Sequence, residues 1–224
     1  MIKQNKYEIE VFLKIKDNVR VLVDIGCRDN FDYAEISSQI EMHLFDINPE
    51  HINNLKNGIS SIEHNVKLYN FGLSNRNENV SYSRISESIH RAWGDMAEFS
   101  VRKFDEVLLE NKIINIDFLK MDIEGCEPDI LSYVDILKGI KFIQFEYGNA
   151  WNNNYTLSDF ISPYLETYDF YLIMDDNHPI FTILESKLLS LIDNDTLKLV
   201  EDYRLKDCGC NILMVNKKIK FENE

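Results

Sequence analysis

Carboxylates close three short apolar runs, Met42 to Asp46, Asp117 to Asp122 and Ile140 to Glu146. In an open α/β sheet ligands sit beyond the carboxyl ends of the strands, so side chains at those ends are the first candidates for chemistry. Asp46 follows Gly26 by twenty residues, about the separation at which an acidic side chain accepts hydrogen bonds from the hydroxyls of a ribose. Pro49 leaves a second reading open, in which Asp46 complements the dipole of a helix beginning there. Asp122 and Glu124 lie two residues apart, and Glu146 ends a neighbouring run. Carboxylates crowded in this way repel one another, which is expected to raise the pKa of one of them toward neutral pH and make it a usable general base. The same oxygens suit a hard divalent cation, Mg²⁺ or Mn²⁺, with Asp122 and Glu146 as ligands.

Other side chains admit two roles each. Lys120, two residues before Asp122, either takes part in the site or neutralises a neighbour. His90 and His178 are either alternative bases or solvated surface residues. Trp151 either stacks on a sugar face or closes the rim of a pocket. Glu127 suits the N-terminus of a helix starting near Pro128, which is a structural role.

Short β-rich runs alternating with segments of helical period give βαβ units around a mainly parallel sheet. Val19 to Ile25 is almost continuously apolar, as a central strand covered on both faces must be, and Asp24 is its exception. Helices are expected over Asp29–Gln39, from Asn48-Pro49, over Lys103–Glu110, Pro128–Leu137, Ser158–Tyr168 and Glu185–Ile192. Further strands are expected over Val66–Gly72, Phe170–Met174 and Asn211–Val215. Residues 75–100 hold Ser81, Ser83, Ser86, Ser88, His90 and Trp93 without a clear period, as in a loop that faces substrate. Everything fits one domain, with a cofactor-binding half over about 19–100 and an acceptor half over about 101–224.

The composition narrows the partners. Lys and Arg number 24 against 38 Asp and Glu, a formal net charge of −14, which repels a phosphate backbone. Nucleic acid is therefore not an expected partner. No run approaches the roughly 18 apolar residues of a membrane span, and the first residues lack a signal-peptide core. The expectation is a soluble cytoplasmic protein, with assembly into a homo-oligomer left open. Four cysteines, with Cys208-Gly-Cys210 unmatched by a second ligand pair, read as free thiols rather than a zinc site.

Three segments carry a family resemblance: Val23-Asp-Ile-Gly26, Phe45-Asp-Ile-Asn-Pro49 and Asp117-Phe-Leu-Lys-Met-Asp-Ile-Glu-Gly-Cys-Glu127. The last is similar to the pattern D-x-L-K-x-D-x-E-G-x-E-x-x-x-L, completed here by Leu131, and the chain resembles FkbM-type methyltransferases over about residues 19–147. The resemblance implies a Rossmann-like class I methyltransferase fold, a seven-stranded mainly parallel sheet with helices on both faces. It implies S-adenosylmethionine as cofactor, contacted by Asp24, Gly26, Cys27, Arg28, Asp46, Ile47, Gly72, Leu73 and Asp122. It also implies that Asn70-Phe-Gly-Leu-Ser74 is the strand end on the adenine side. Cys27, Arg28 and Asn30 depart from the family's small residues and second glycine, although Asn tolerates the left-handed region that a glycine favours.

The implied reaction is transfer of a methyl group to a hydroxyl, of a sugar or nucleotide-sugar in surface polysaccharide synthesis, with Asp122, Glu124 and Glu146 as catalytic candidates. Two alternatives stand beside it. A nicotinamide oxidoreductase shares the ribose acid but needs G-x-G-x-x-G, whereas the turn here is Gly26-Cys-Arg-Asp-Asn-Phe31 and sets Asp29 where a diphosphate must bind. A catalytically silent cofactor-binding module is the other.

Overall fold

The computed structural model describes residues 6–29, 39–59, 65–83, 96–148, 151, 156–173, 180, 188–204 and 209–221. Strand β1 (Val21–Ile25) is β-branched and apolar and lies between two parallel neighbours, β2 (Glu41–Phe45) and β7 (Phe118–Met121). Burial on both faces is what its continuous apolar run demands. Beyond β2 lies β3 (Val66–Tyr69), and beyond β7 lies β8 (Phe142–Tyr147), both parallel as well. Strand β11 (Cys210–Asn216) enters antiparallel between β8 and β9 (Tyr168–Ile173), and β10 (Leu189–Leu191) pairs antiparallel at the edge. The order is β10-β9-β11-β8-β7-β1-β2-β3.

The expected α/β architecture with a mainly parallel sheet is present, but with eight strands rather than seven. The extra strand falls inside the stretch expected as a helix over Glu185–Ile192, of which residues 185–187 lie outside the described residues. Leu189 and Ser190 instead pair with Ile173 and Leu172 across the sheet edge, where the strand's buried leucine closes the core.

Each face of the sheet carries its own core. Helix α1 (Lys6–Ile15) and helix α2 (Pro49–Ile59) set Val11, Phe12, Ile15, Ile52 and Leu55 against Leu22, Leu44 and Phe118. On the other face, α3 (Phe104–Glu110), α4 (Glu127–Leu131), α5 (Val134–Leu137), α6 (Leu157–Ile161) and α7 (Asn194–Arg204) pack on Val23, Phe45, Leu119 and Phe145.

The helix expected over Pro128–Leu137 is two helices. Tyr133 leaves helical geometry (φ −82°, ψ 56°) where its ring meets Phe104 edge-on at 5.6 Å and its hydroxyl donates to Asp105. The helix expected over Ser158–Tyr168 is shorter. It opens on a capping box between Thr156 and Asp159, tightens into a 3₁₀ turn over Ser162–Tyr164 at Pro163, and gives way to β9 at Tyr168.

Residues 75–100 hold a second sheet. Strands β4 (Gly72–Ser74), β5 (Glu78–Ser83) and β6 (Met96–Lys103) lie in the order β4-β6-β5, with β5 and β6 antiparallel. The run Val66–Gly72 therefore divides between the two sheets. Ser86, Ser88, His90 and Trp93 lie outside the described residues, as does most of the helix expected over Asp29–Gln39.

Candidate functional site

The parallel strands β1, β2 and β7 end at the same edge of the sheet, and their following turns interlock. The Gly26 and Cys27 amides donate to the Phe45 carbonyl at 2.8 and 3.2 Å, and the Asp122 amide donates to the Ile25 carbonyl at 2.9 Å. Gly26 has φ +82°, and a Cβ there would lie 1.9 Å from the Asp122 carbonyl oxygen. Glycine is required at this point by the approach of the β7 turn, a reason internal to the fold and prior to any ligand.

Asp46 is buried and organises the same corner. One carboxylate oxygen accepts the Arg28 amide at 2.8 Å, and the other accepts the Asn48 amide at 2.7 Å and lies 3.2 Å from His51 Nδ1. Arg28 sits in the left-handed region (φ 54°) to present that amide. Asn48 Oδ1 then accepts the Glu50 amide at the start of α2, and Asn70 Nδ2 ties the Asp46 and Ile47 carbonyls to the β3 end. Asp46 therefore holds the turns at the helix entrance and also lines the cavity they enclose.

That cavity, of about 270 Å³, runs along the strand ends. Asp46, Ile47 and Arg28 stand at one part of it and Asp122 and Glu124 at another. Phe71, Leu73, Val80 and Val101 give it an apolar wall, largely from the small sheet. Gly72 leaves room there, since a Cβ would come within 3.2 Å of Val101 and 3.3 Å of Ile47. Of the expected cofactor contacts, Gly26, Arg28, Asp46, Ile47, Gly72, Leu73 and Asp122 line this cavity. Asp24 and Cys27 are buried behind it. The Cys27 thiol, pushed well up by burial, contacts the Arg28 carbonyl instead.

The acidic candidates converge. Asp122, Glu124 and Glu146 each bring a carboxylate oxygen within 4.8 Å of the others. Burial first, and then the charges of Asp122, Glu124, Glu127 and Glu8, push Glu146 up to about 8. Glu146 sits at the end of β8 where Gly209 passes so close that a Cβ would lie 2.9 Å from its Oε1. Glu127 takes its expected structural place. Fully buried at the start of α4, it accepts the Ile123 and Gly125 amides at 2.8 and 2.9 Å and so shapes the turn bearing Glu124, itself at φ 53°. Burial raises its carboxyl to about 7 against those donors.

Trp151 departs from the expectation of a sugar platform. It is 1% exposed, its indole nitrogen donates to the Glu146 carbonyl at 3.0 Å, and its ring packs on Phe145, Tyr147 and Phe160. Both tryptophan readings put the ring at the surface, but the apolar face under β8 claims it. His178 and Cys208 lie outside the described residues, while Cys210 is buried with its thiol pushed up by that burial.

The cavity wall from β5 and β6 escapes the sequence reading, yet β6 carries a usable signal. Ala97, Phe99 and Val101 alternate with Glu98, Ser100 and Arg102, the period of a strand with one covered face. The contribution of Glu8 from α1 leaves no such trace, because its partners lie far away in the chain.

The family model of the methyltransferase FkbM domain matches residues 22–172. No curated protein sequence gives a significant match. Among solved structures, a precorrin-6y C5,15-methyltransferase from Geobacter metallireducens GS-15 superposes with a TM-score of 0.50 at 12% identity, covering 96% of this chain and 89% of that one. The N-terminal domain of human METTL16 gives 0.51 at 8% identity, with 96% and 72% covered. The chain covers only 62% of a dimethyladenosine transferase from Plasmodium falciparum, which covers 96% of it at 9% identity and a TM-score of 0.49.

Proposed function

The chain belongs to the methyltransferase FkbM domain family, and from that membership we propose an S-adenosylmethionine-dependent O-methyltransferase whose acceptor is a hydroxyl of a sugar or nucleotide-sugar in surface polysaccharide synthesis. The observation that carries this reading is the convergence of Asp122, Glu124 and Glu146 beside a cavity that also holds Asp46 and an apolar wall. Asp46 suits the ribose hydroxyls, and Phe71, Leu73 and Val101 suit a flat purine. The sulfonium supplies the methyl group. Held there, it would leave as the neutral thioether once the acceptor oxygen had taken the methyl carbon, and a carboxylate of the cluster would accept the hydroxyl proton. Alignment of the acceptor contributes up to ~7–11 kcal/mol and a positioned base about 10²–10⁴-fold.

Glu146 is the base this reading prefers, since a carboxylate raised to about 8 holds a proton far more firmly than an ordinary one. Its base form accumulates as pH rises, so turnover climbs through about pH 8. A second reading, favoured by the approach of the three carboxylate oxygens, gives Asp122 and Glu146, joined by Glu124, a Mg²⁺ or Mn²⁺ ion that acidifies the acceptor hydroxyl. Residues 19–100 then serve the cofactor and residues 101–224 the acceptor, in a single domain. We place the protein in the cytoplasm, with self-association open. Among the described residues, no helix is long and apolar enough to cross a membrane.

The test is transfer of isotope-labelled methyl from S-adenosylmethionine to a panel of sugars and nucleotide-sugars, across pH and with and without chelator. Methylated product whose rate rises through about pH 8 supports Glu146 as base, and loss of product on chelation supports the ion. Cofactor binding with no transfer to any member of the panel supports the silent module instead.

A further inference from the structure

Lys120 is only 5% exposed, yet it carries an ammonium into the space beneath the strand ends. Its neighbours in register are Asp24 on β1 and Gln144 on β8. Its Nζ lies 3.8 Å from Asp24 Oδ1 and 3.7 Å from Asp122 Oδ2. Among the described residues that Asp24 oxygen has no hydrogen-bond partner, so Lys120 neutralises it through space. From the helix side, Glu8 of α1 adds a third carboxylate to the field of this ammonium, held by Asn211 Nδ2 at 3.1 Å. Of these acids Asp122 alone lines the cavity. Lys120 is therefore a cation that offsets the carboxylates around Asp122 from behind the cavity wall.

We propose that Lys120 is a positioning residue that sets the preference of the site between a sulfonium donor and its neutral thioether product. This rests on the methyltransferase reading above. The two ligands are alike except at one atom, where the first bears a methyl group and a positive charge and the second bears neither. Lys120 raises the energy of a cation beside Asp122 and leaves a neutral thioether almost untouched, and its own burial keeps water from screening it on the strand side. Because the sulfur loses its charge as the methyl group leaves, Lys120 opposes the ground state more than the transition state, and interactions of that kind accelerate a reaction. Asp122 opposes Lys120 and keeps the donor bound at all. Asp24 and Glu8 keep the ammonium tolerable in a buried place.

The test is calorimetric measurement of both dissociation constants, for S-adenosylmethionine and S-adenosylhomocysteine, in the wild type, Lys120→Met, Lys120→Arg and Asp24→Asn. Lys120→Met shifts the ratio toward the sulfonium by about 10–50-fold, the scale of two unit charges roughly 7–12 Å apart at an effective dielectric near 20. Asp24→Asn leaves the ammonium less compensated and shifts the ratio the opposite way, while Lys120→Arg keeps the wild-type ratio. Structural damage weakens both ligands together and does not move the ratio in opposite senses. A ratio constant within about twofold in both Lys120→Met and Asp24→Asn overturns the inference and leaves the methyltransferase reading standing. Failure of the wild type to bind either ligand removes both.

Discussion

Asp46 and Asp122 stand at the same cavity with different duties, and the difference predicts how their variants part. Asp46 accepts two backbone amides, faces His51 at 3.2 Å and lines the cavity. Asp46→Ala is expected to weaken S-adenosylmethionine and S-adenosylhomocysteine alike, by about 10–100-fold, the range of charge-assisted hydrogen bonds. Asp122→Asn, which removes a charge beside the acceptor and from the field around Glu146, is expected to lower turnover by about 10²-fold while S-adenosylhomocysteine affinity stays near that of the wild type. Equal losses of S-adenosylhomocysteine binding in the two variants, read by calorimetry, contradict the assignment. The protons of the buried acids give a second prediction. Asp24, Glu127 and Glu146 rise to about 6, 7 and 8 in the fold, all above their ordinary values. The folded state therefore binds more protons than the unfolded chain across that window, and stability present at low pH is lost as pH rises through it. The melting temperature should fall between about pH 5 and pH 8.5, and Glu146→Gln should lessen the fall at its upper end. A melting temperature that rises through the same window would be incompatible with these buried protons.

At the scale of elements, the central strands were readable because both their faces are covered. Val21–Ile25 and Phe118–Met121 show that coverage as apolar runs broken only by Asp24 and Lys120, and the polar residues at their ends mark the site. Elements with one face in solvent were harder. Strand β5 mixes glutamate, asparagine and serine with few apolar positions and so hides its period, whereas β6 shows its period over Ala97–Arg102 inside an otherwise polar stretch. The three residues of β10 are too few to declare any period at all. Trp151 is not placed by its sequence context, because an aromatic ring reads alike whether it stacks on a ligand or fills a core, and only the packing on Phe145 and Tyr147 separates the two. Gly26 shows the same limit from the other side. Its sequence context points to a ligand, whereas the contact that demands it is the Asp122 carbonyl. Gly26→Ala is expected to cost about 3 kcal/mol or more, from the clash and the positive φ together, lowering the melting temperature by roughly 6–12 °C. A loss below a few degrees in thermal melts would show that the β7 turn yields easily.

At the scale of the whole molecule, one sheet edge gathers residues that are distant in the chain. Asp24, Asp46, Asp122 and Glu146 reach it from four strands, and Glu8 and Asn211 reach it from outside the segment that the family model matches. The strand-end acids were legible because topology fixes where parallel strands stop. The link from α1 to β11 was not, since nothing local records a hydrogen bond between residues 203 positions apart. The central claim, a cavity built for S-adenosylmethionine, is tested most directly by thermal denaturation with added ligand. At about 100 times the dissociation constant, a bound ligand adds about 2.7 kcal/mol, which moves a domain of this size by roughly 5–11 °C. S-adenosylmethionine and S-adenosylhomocysteine should each produce such a shift, and NAD should produce none. No shift with either sulfur ligand, or a shift with NAD instead, contradicts the account.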